Sequence, residues 1–516
     1  MTDQDARPSA RFTTGVGTGF STEQGHAFLG VPYAAAPVGD RRFAPPSPPP
    51  PWTGERSFTA HGAASLQPED LVVTMMPGAA PLFLPPGLET SEDCLFLDIW
   101  IPGADTDTDG SLPVVVWFHG GGWVTGTAAA SWTDGTELAH RERVIVVGIN
   151  YRLGLLGMLG VSYTDDPEGA GVTNLALLDQ IAALRFVRDN IAAVGGDPAR
   201  VTVIGESAGA FSALALLGAP TAQGLFRAVV AQSGHGGLLH TPAQSAEVTK
   251  AILGELGISP GPGALAALRA LPARTFLELT ERLGIRVVPP VVDGTVLTAG
   301  ADEAAAAGAA RGLVLVVGTD RDESKSFRQL PLGAVDHEVT DEEVDAFLES
   351  APNPPTETSL RSLYSDEGSN LEILDAAGTD RDWRGPVRRF ARAADAGGAD
   401  CYVFEFSWPT EALGGRLGAG HQSEIPFVFG TLSAPGVSTF IGAVADDPTA
   451  HAQSRQIQGA LGSVARGEQP HFPDGAAWRP FTTGSETVAV IENGNVSQIE
   501  GWRGRQLAAW SPAEES

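Results

Sequence analysis

The stretch VTVIGESAGAFSALALL, residues 201–217, decides the reading of this chain. Residues of strand character run into Gly205-Glu206-Ser207-Ala208-Gly209, and an alanine- and leucine-rich helix follows at once. A serine hydroxyl is a poor nucleophile until a base takes its proton. A sharp strand-to-helix turn lifts such a hydroxyl clear of the sheet, and flanking residues without side chains let strand and helix close on each other. The first turn of the helix aims its unpaired N–H groups, and its positive end, at the same spot. A purely structural glycine turn is the other reading of the pentapeptide; the flanking strand and helix favour the nucleophile.

Upstream, residues 113–126 read PVVVWFHGGGWVTG, a strand running into His119-Gly120-Gly121-Gly122. An attacked carbonyl gathers negative charge on oxygen, so donors must wait where that charge forms. The N–H groups of Gly121 and Gly122, with that of Ala208, make a three-donor oxyanion hole. A phosphate-binding glycine loop is the rival, but no G-K-[ST] follows and no G-x-G-x-x-G frame fits. His119 reads as a histidine that braces this loop.

The pattern around these motifs is α/β. Apolar runs at 113–118, 144–149, 228–232, 313–318 and 401–406 have the continuity of strands buried on both faces. Leu177, Leu178, Ile181, Leu184, Val187, Ile191 and Val194 repeat at helical spacing, and Gly195-Gly196 ends that helix. The expected architecture is one domain over 1–516: a large, mostly parallel central sheet with helices on both faces. Short strand hairpins precede it, 66–91 reads as loop, and Asn493-Gly494 marks a C-terminal hairpin. Residues 241–310 and 328–398 read as helical insertions that cap one end of the sheet.

Of the 516 residues, 43% are apolar and 18% charged, which allows a large core. The net charge of −29, from 62 acidic and 33 basic residues, argues against nucleic acid and anionic membranes as partners. The N-terminus lacks the basic and apolar regions of a signal peptide and no stretch is apolar enough to span a bilayer, so a cytoplasmic location is expected. Cys94 and Cys401 are too few for a disulfide framework, although one bridge between them stays open. No Cys-x-x-Cys or His-Glu-x-x-His occurs, and neither metal nor organic cofactor is expected. Oligomeric state is not legible.

GESAG (205–209), HGGGW (119–123) and SEDCL (91–95) together resemble the type-B carboxylesterases of the α/β-hydrolase fold, the group containing bacterial para-nitrobenzyl esterases and the cholinesterases. The likeness runs from about residue 12 to about residue 510 and takes in NYRLG (150–154), AQSG (231–234), GTDRDES (318–324) and GAGHQSEIPFVFG (418–430). It implies a serine, acid, histidine order with Glu323 as acid and His421 as base; a strand end is also where a parallel sheet presents such groups. Spacing alone does not choose Glu323 over Asp320 or Asp322. His235, near the end of another strand, is the rival histidine and would break the order.

The resemblance further places Glu206 and Ser233 as hydrogen-bonding groups behind the histidine, and Arg42 with Glu92 and Arg152 with Asp179 as internal ion pairs. Two departures stand out. No cysteine precedes Cys94, and Leu84 stands at the spacing where the cholinesterases carry a cation-binding aromatic. The implied function is hydrolysis of small-molecule carboxylic esters through an acyl-enzyme on Ser207. An amide or carbamate hydrolase using the same residues, and a non-catalytic binding protein of the same fold, are the alternatives. Trp123 and aromatics in 328–430 are candidates for the pocket wall.

Overall fold

Along Leu112–Phe118 the side chains alternate between two cores: Val114, Val116 and Phe118 enter one, Val115 and Trp117 the other. A strand points successive residues to opposite faces, so a run apolar at every position has both faces covered. The computed structural model describes residues 7–103, 111–283, 289–332, 338–355 and 358–511.

Its main sheet has eleven strands: β1 (Phe20–Ser21), β2 (Gly25–Pro32), β3 (Phe96–Pro102), β4 (Leu112–Phe118), β5 (Ile145–Ile149), β6 (Gly196–Glu206), β7 (Ala228–Gln232), β8 (Val314–Asp320), β9 (Asp400–Ser407), β10 (Thr487–Glu492) and β11 (Asn495–Glu500). Their spatial order is β11-β10-β9-β8-β7-β6-β4-β5-β3-β2-β1. Strands β4 to β10 are mutually parallel, while β11 at one edge and β3, β2 and β1 at the other run antiparallel to their neighbours. A small separate sheet pairs Ser9–Phe12 with Gly15–Thr18 and Glu55–Ser57. The Asn493-Gly494 hairpin forms as expected, with φ of 51° and 75° at its two turn residues.

Helices α1 (Leu175–Asn190), α2 (Ala208–Ala215) and α4 (Gly385–Ala396) pack on one face. Helices α5 (Ile425–Phe429) and α6 (Pro448–Arg466) cover the other, and α3 (Glu323–Leu332) leaves the end of β8. This is the α/β-hydrolase arrangement. Between β7 and β8 lie Pro242–Glu255, Ala264–Ala270, Ala273–Leu283 and Ala301–Ala306, all helical. A third, smaller core around Val344, Leu348, Tyr364 and Trp510 joins helices of the 341–379 region to the C-terminal end.

Residues 66–91 depart from the loop expectation. Leu71–Met75 and Ala80–Phe83 form short helices, the first started by Asp70, whose carboxylate accepts the Val72 N–H at 2.9 Å. Pro81, in the first turn of the second, is compatible with a helix, which is why the Pro-rich stretch hid it. Cys94 and Cys401 are both free thiols and buried. No helix among the described residues is long and apolar enough to cross a membrane.

Two ion pairs tie loops to this frame. Arg42 and Glu92 meet at 2.5 Å, and Arg42 Nη1 also donates to the carbonyls of Arg269 and Leu271. Asp179, fully buried on α1, takes the Arg152 guanidinium at 2.7 Å through both oxygens and the Arg152 N–H at 3.1 Å; Arg152 Nη1 reaches on to the Ala44 carbonyl. Removing one partner of such a pair strands a buried charge. Asp179→Ala is therefore expected to lose about 3–5 kcal/mol of stability, read as a fall in the urea midpoint; a midpoint equal to that of the parent would show that the pair braces nothing.

Candidate active site

Leaving β4, the chain runs to β5 on one side and then returns to β6 on the other. At such a reversal the segments beyond two neighbouring strands diverge and leave a crevice. Parallel pairing sets Gly205 opposite Phe118, so Glu206-Ser207 and His119-Gly122 emerge side by side. A Cβ on Gly209 would stand 2.0 Å from the Phe118 carbonyl oxygen, and one on Gly205 would stand 2.5 Å from the Gly209 carbonyl carbon. The glycines flanking the serine are thus the condition for this approach.

Ser207 sits at the head of α2 with φ 51° and ψ −122°, a conformation that side chains rarely adopt. Its N–H donates to the Gln232 carbonyl at 2.9 Å, anchoring the turn to β7, and its side chain is half-buried. Gly121 and Gly122 both have positive φ, 94° and 63°. Among the described residues no acceptor takes the N–H of Gly121, Gly122 or Ala208. Three free donors thus stand around the serine corner.

Across the crevice, β8 ends at Asp320 and α3 begins at Glu323. Glu323 is fully buried: Oε1 accepts the Asp320 N–H at 2.9 Å, and Oε2 lies 2.6 Å from His421 Nδ1. The neighbouring acids turn elsewhere. Asp320 Oδ2 accepts from both the N–H and the hydroxyl of Ser423, whereas Asp322 pairs with Lys325 and Arg321 and accepts the Ala419 N–H. Of the three, Glu323 alone meets the imidazole.

The other ring nitrogen, His421 Nε2, is 3.2 Å from Glu206 Oε1, and Gln422 Nε2 donates to Glu206 Oε2 at 3.1 Å. Glu206 therefore lies directly on the imidazole, and no hydrogen bond joins Ser207 to His421 in this state. Ser233 is buried with φ 52°, its N–H donating to the Gly318 carbonyl at 2.8 Å, and its hydroxyl has no hydrogen-bond partner among the described residues. It reaches neither His421 nor Glu323.

Burial works to lower the His421 pKa, but the charges of Glu206 and Glu323 and the bond to Glu323 outweigh it and lift the value to about 9. Burial pushes the Glu206 carboxyl up to about 8, against the opposing pull of His421. The two groups contend for one proton across 3.2 Å, and their titration belongs to the pair. No group of side chains among the described residues is arranged to hold a metal ion.

The remaining candidates fall into place around this centre. His119 is buried, stacks on Tyr151 at 4.3 Å and lies 2.9 Å from the Gly120 carbonyl through Nδ1; burial lowers its pKa to about 4. It braces the glycine loop. Trp123 does not line the crevice: it is fully buried, donating from Nε1 to Ser212 Oγ at 2.9 Å. Its φ of 58° turns the ring inward, beneath the loop. His235 packs edge-on against Phe211, 4.7 Å between centroids, and meets no carboxylate among the described residues.

Trp383 and Phe327 are stacked on each other at 5.4 Å and lie 4.9 and 5.0 Å from the His421 ring. Phe327 is 54% exposed, which marks it as a wall of an open cleft. Trp383 stands in a π-helical turn, Asp380–Arg384, a local irregularity that often accompanies functional positions. Sequence reasoning missed Phe327, Gln422 and Glu424. Their signal was weak: Gln422 and Glu424 lie inside the 418–430 block beside His421 and Phe327 just past 318–324, with no role of their own marked by either motif. Leu84 is half-buried, and the preceding Phe83 packs against Trp132 at 5.2 Å beside Gly120 and Gly121.

Comparison with known proteins bears on the family and the fold. The family model described as the carboxylesterase family covers residues 10–510. A para-nitrobenzyl esterase of Bacillus subtilis is 37% identical over 426 residues, 80% of this chain and 81% of its own. A human cocaine esterase is 35% identical over 78% of this chain and 73% of its own. Among solved structures, a carboxylesterase of Geobacillus stearothermophilus superposes with a TM-score of 0.84 at 34% identity, covering 98% of this chain and all of that one. A para-nitrobenzyl esterase structure gives 0.83 at 31% identity over the same shares. The chain belongs to the carboxylesterase family and is a carboxylic ester hydrolase.

Proposed function

We propose that Ser207, His421 and Glu323 form the catalytic triad of a serine carboxylesterase acting on small-molecule alkyl or aryl esters. The observation that carries this reading is the 2.6 Å contact between His421 Nδ1 and the fully buried Glu323, ninety-eight residues apart in sequence and brought together beside a strained serine corner. In this mechanism Ser207 Oγ attacks the ester carbonyl carbon while His421 Nε2 takes the hydroxyl proton. Glu323 holds Nδ1–H, fixing the tautomer and stabilising the imidazolium. The tetrahedral oxyanion is received by the N–H groups of Gly121, Gly122 and Ala208, donors worth about 3 kcal/mol each in comparable sites.

Collapse breaks the bond to the alcohol oxygen, which leaves with the proton from His421, and the acyl group stays on Ser207. Water then attacks the acyl carbon, its proton passing to Nε2; the acid departs and Ser207 regains its hydrogen. The resting contact between Nε2 and Glu206 is one that Ser207 must displace, and catalytic hydrogen bonds often tighten only once substrate is bound. The exposed Phe327 and stacked Trp383 offer an apolar wall for the acyl or alcohol group.

Replacing the nucleophile tests the assignment: Ser207→Ala is expected to lower kcat on para-nitrophenyl esters by a factor of roughly 10⁴ or more, and to abolish the mass added by an organophosphate reagent. Undiminished turnover in that variant would refute it.

The pH profile supplies a second check. His421 accepts a proton only when neutral, so a raised pKa means that kcat/KM climbs through the alkaline side of the ordinary imidazole range and falls as pH drops. Glu206→Gln removes a carboxylate from 3.2 Å and should move this limb to lower pH by about one unit or more. A limb that does not move would show that Glu206 carries no charge toward the base.

A further inference from the structure

Four carboxyl groups gather about the His421 imidazole. Glu206 ends β6, Asp320 ends β8, Glu323 opens α3 and Glu424 stands immediately before α5; all four are 0–1% exposed. Among the described residues no arginine or lysine hydrogen-bonds to any of them. Glu206 and Glu323 are served by His421, Gln422 and the Asp320 N–H. Asp320 Oδ2 takes two donors from Ser423, each at 3.2 Å. Glu206 Oε1 has the His421 ring at 3.2 Å but no hydrogen bond to it, which leaves Asp320 Oδ1 and both oxygens of Glu424 with neither a hydrogen-bond donor from another described residue nor a cationic partner.

The Asp320 and Glu424 carboxyls face each other within hydrogen-bonding reach. Two carboxylate oxygens attract only with a proton between them, and two adjoining carboxylates in a buried site do not both ionise. Glu424 also borders a cavity lined by Ile204, Val230, Val316, Val428 and Leu461, with Gln232 at its edge. From β7, β9, β10 and α6, then, only uncharged side chains reach it. The charged neighbours are Glu206, Glu323 and His421; Asp322 is held away by Lys325 and Arg321.

We propose that Asp320 and Glu424 share a single proton and act as one positioning unit beneath the catalytic histidine. The shared proton locks the Ser423-Glu424 turn onto the end of β8, and so fixes His421, two residues before Ser423, against Glu323, three residues after Asp320. With one proton the pair presents a single negative charge to His421, and this charge helps to set the pH at which the imidazole becomes a free base. Burial favours the arrangement: it pushes Asp320 well above the ordinary carboxylate range and Glu424 up to about 7, and the proton belongs to the two together. The effect on the pH profile rests on His421 being the base proposed above; the shared proton does not.

Asp320→Asn and Glu424→Gln keep shape, and each supplies an amide N–H in place of the proton, so either variant leaves one negative charge. The double variant leaves none. Infrared difference spectra at neutral pH should show a protonated carboxyl C=O band in the parent that is lost in both single variants. The acid limb of kcat/KM should stay in place in both single variants and move down by about one pH unit in the double variant. A limb that moves in a single variant would mean two resting charges, and one unmoved in the double would mean none; either overturns the proposal. So would, in a Glu206→Gln background that removes the other raised carboxyl, a band absent from the parent or persisting in either single variant. The spectra can be recorded in a Ser207→Ala background, which separates failure of the shared proton from failure of the triad, and they decide the matter from the single variants if the double variant does not fold.

Discussion

Everything at the crevice depends on a backbone contact. The Gly209 Cα lies so close to the Phe118 carbonyl that a Cβ would come within 2.0 Å of its oxygen, which locks the head of α2 onto the end of β4. One result is that Ser207 is forced to φ 51° and its hydroxyl is thrust out over the sheet. Another is that the glycine loop after β4 brings its N–H groups to the same corner. Strain at a single residue persists only where its surroundings over-determine it. Here the N–H bond to Gln232, the two flanking glycines and the parallel pairing of β4 with β6 do so together.

The protein handles buried carboxylates in two different ways. Away from the crevice it meets several of them with arginine: Arg384 bonds Glu405 at 2.6 Å and Asp380 at 2.9 Å, Arg503 bonds Asp380, and Arg152 holds Asp179. Around His421 it places four acids and one imidazole, with protons and neutral donors to balance them. The difference has a chemical logic. A guanidinium beside the imidazole would depress its proton affinity and weaken it as a base, whereas carboxylates raise that affinity. Arginine also stays charged at any working pH, while a carboxyl pair adjusts its proton count with its neighbours.

The frame of this fold was legible because its signals are local. Strands buried on both faces read as unbroken apolar runs, and five of these were placed within two residues of their observed limits. The serine corner was legible for the same reason, since five consecutive residues carry strand, turn and helix. The pairing of His421 with Glu323 joins segments about a hundred residues apart and came from resemblance, because nothing in TDRDES by itself ranks one acid over another. Side-chain direction was the least legible feature. Trp123 stands beside the loop glycines Gly120–Gly122 in sequence yet is buried in the core, at a residue whose backbone is left-handed. The short helix Ala80–Phe83 was masked by a proline that merely occupies its first turn.

The turn from β8 into α3 shows how one segment can divide three acids among three tasks. Asp320 is the last residue of the strand, so its backbone N–H remains free to fix Glu323 while its side chain drops toward Ser423 and Glu424. Asp322 lies in the turn, where Lys325 and the Ala419 N–H take it and stitch the segment before His421 onto this loop. Glu323 opens the helix, and its longer side chain spans the gap to the imidazole. Holding the loop, the partner loop and the histidine with three different carboxyls means that none has to satisfy competing donors. The 2.6 Å bond to His421 then keeps its full strength, because the acid that makes it is held from behind by backbone alone.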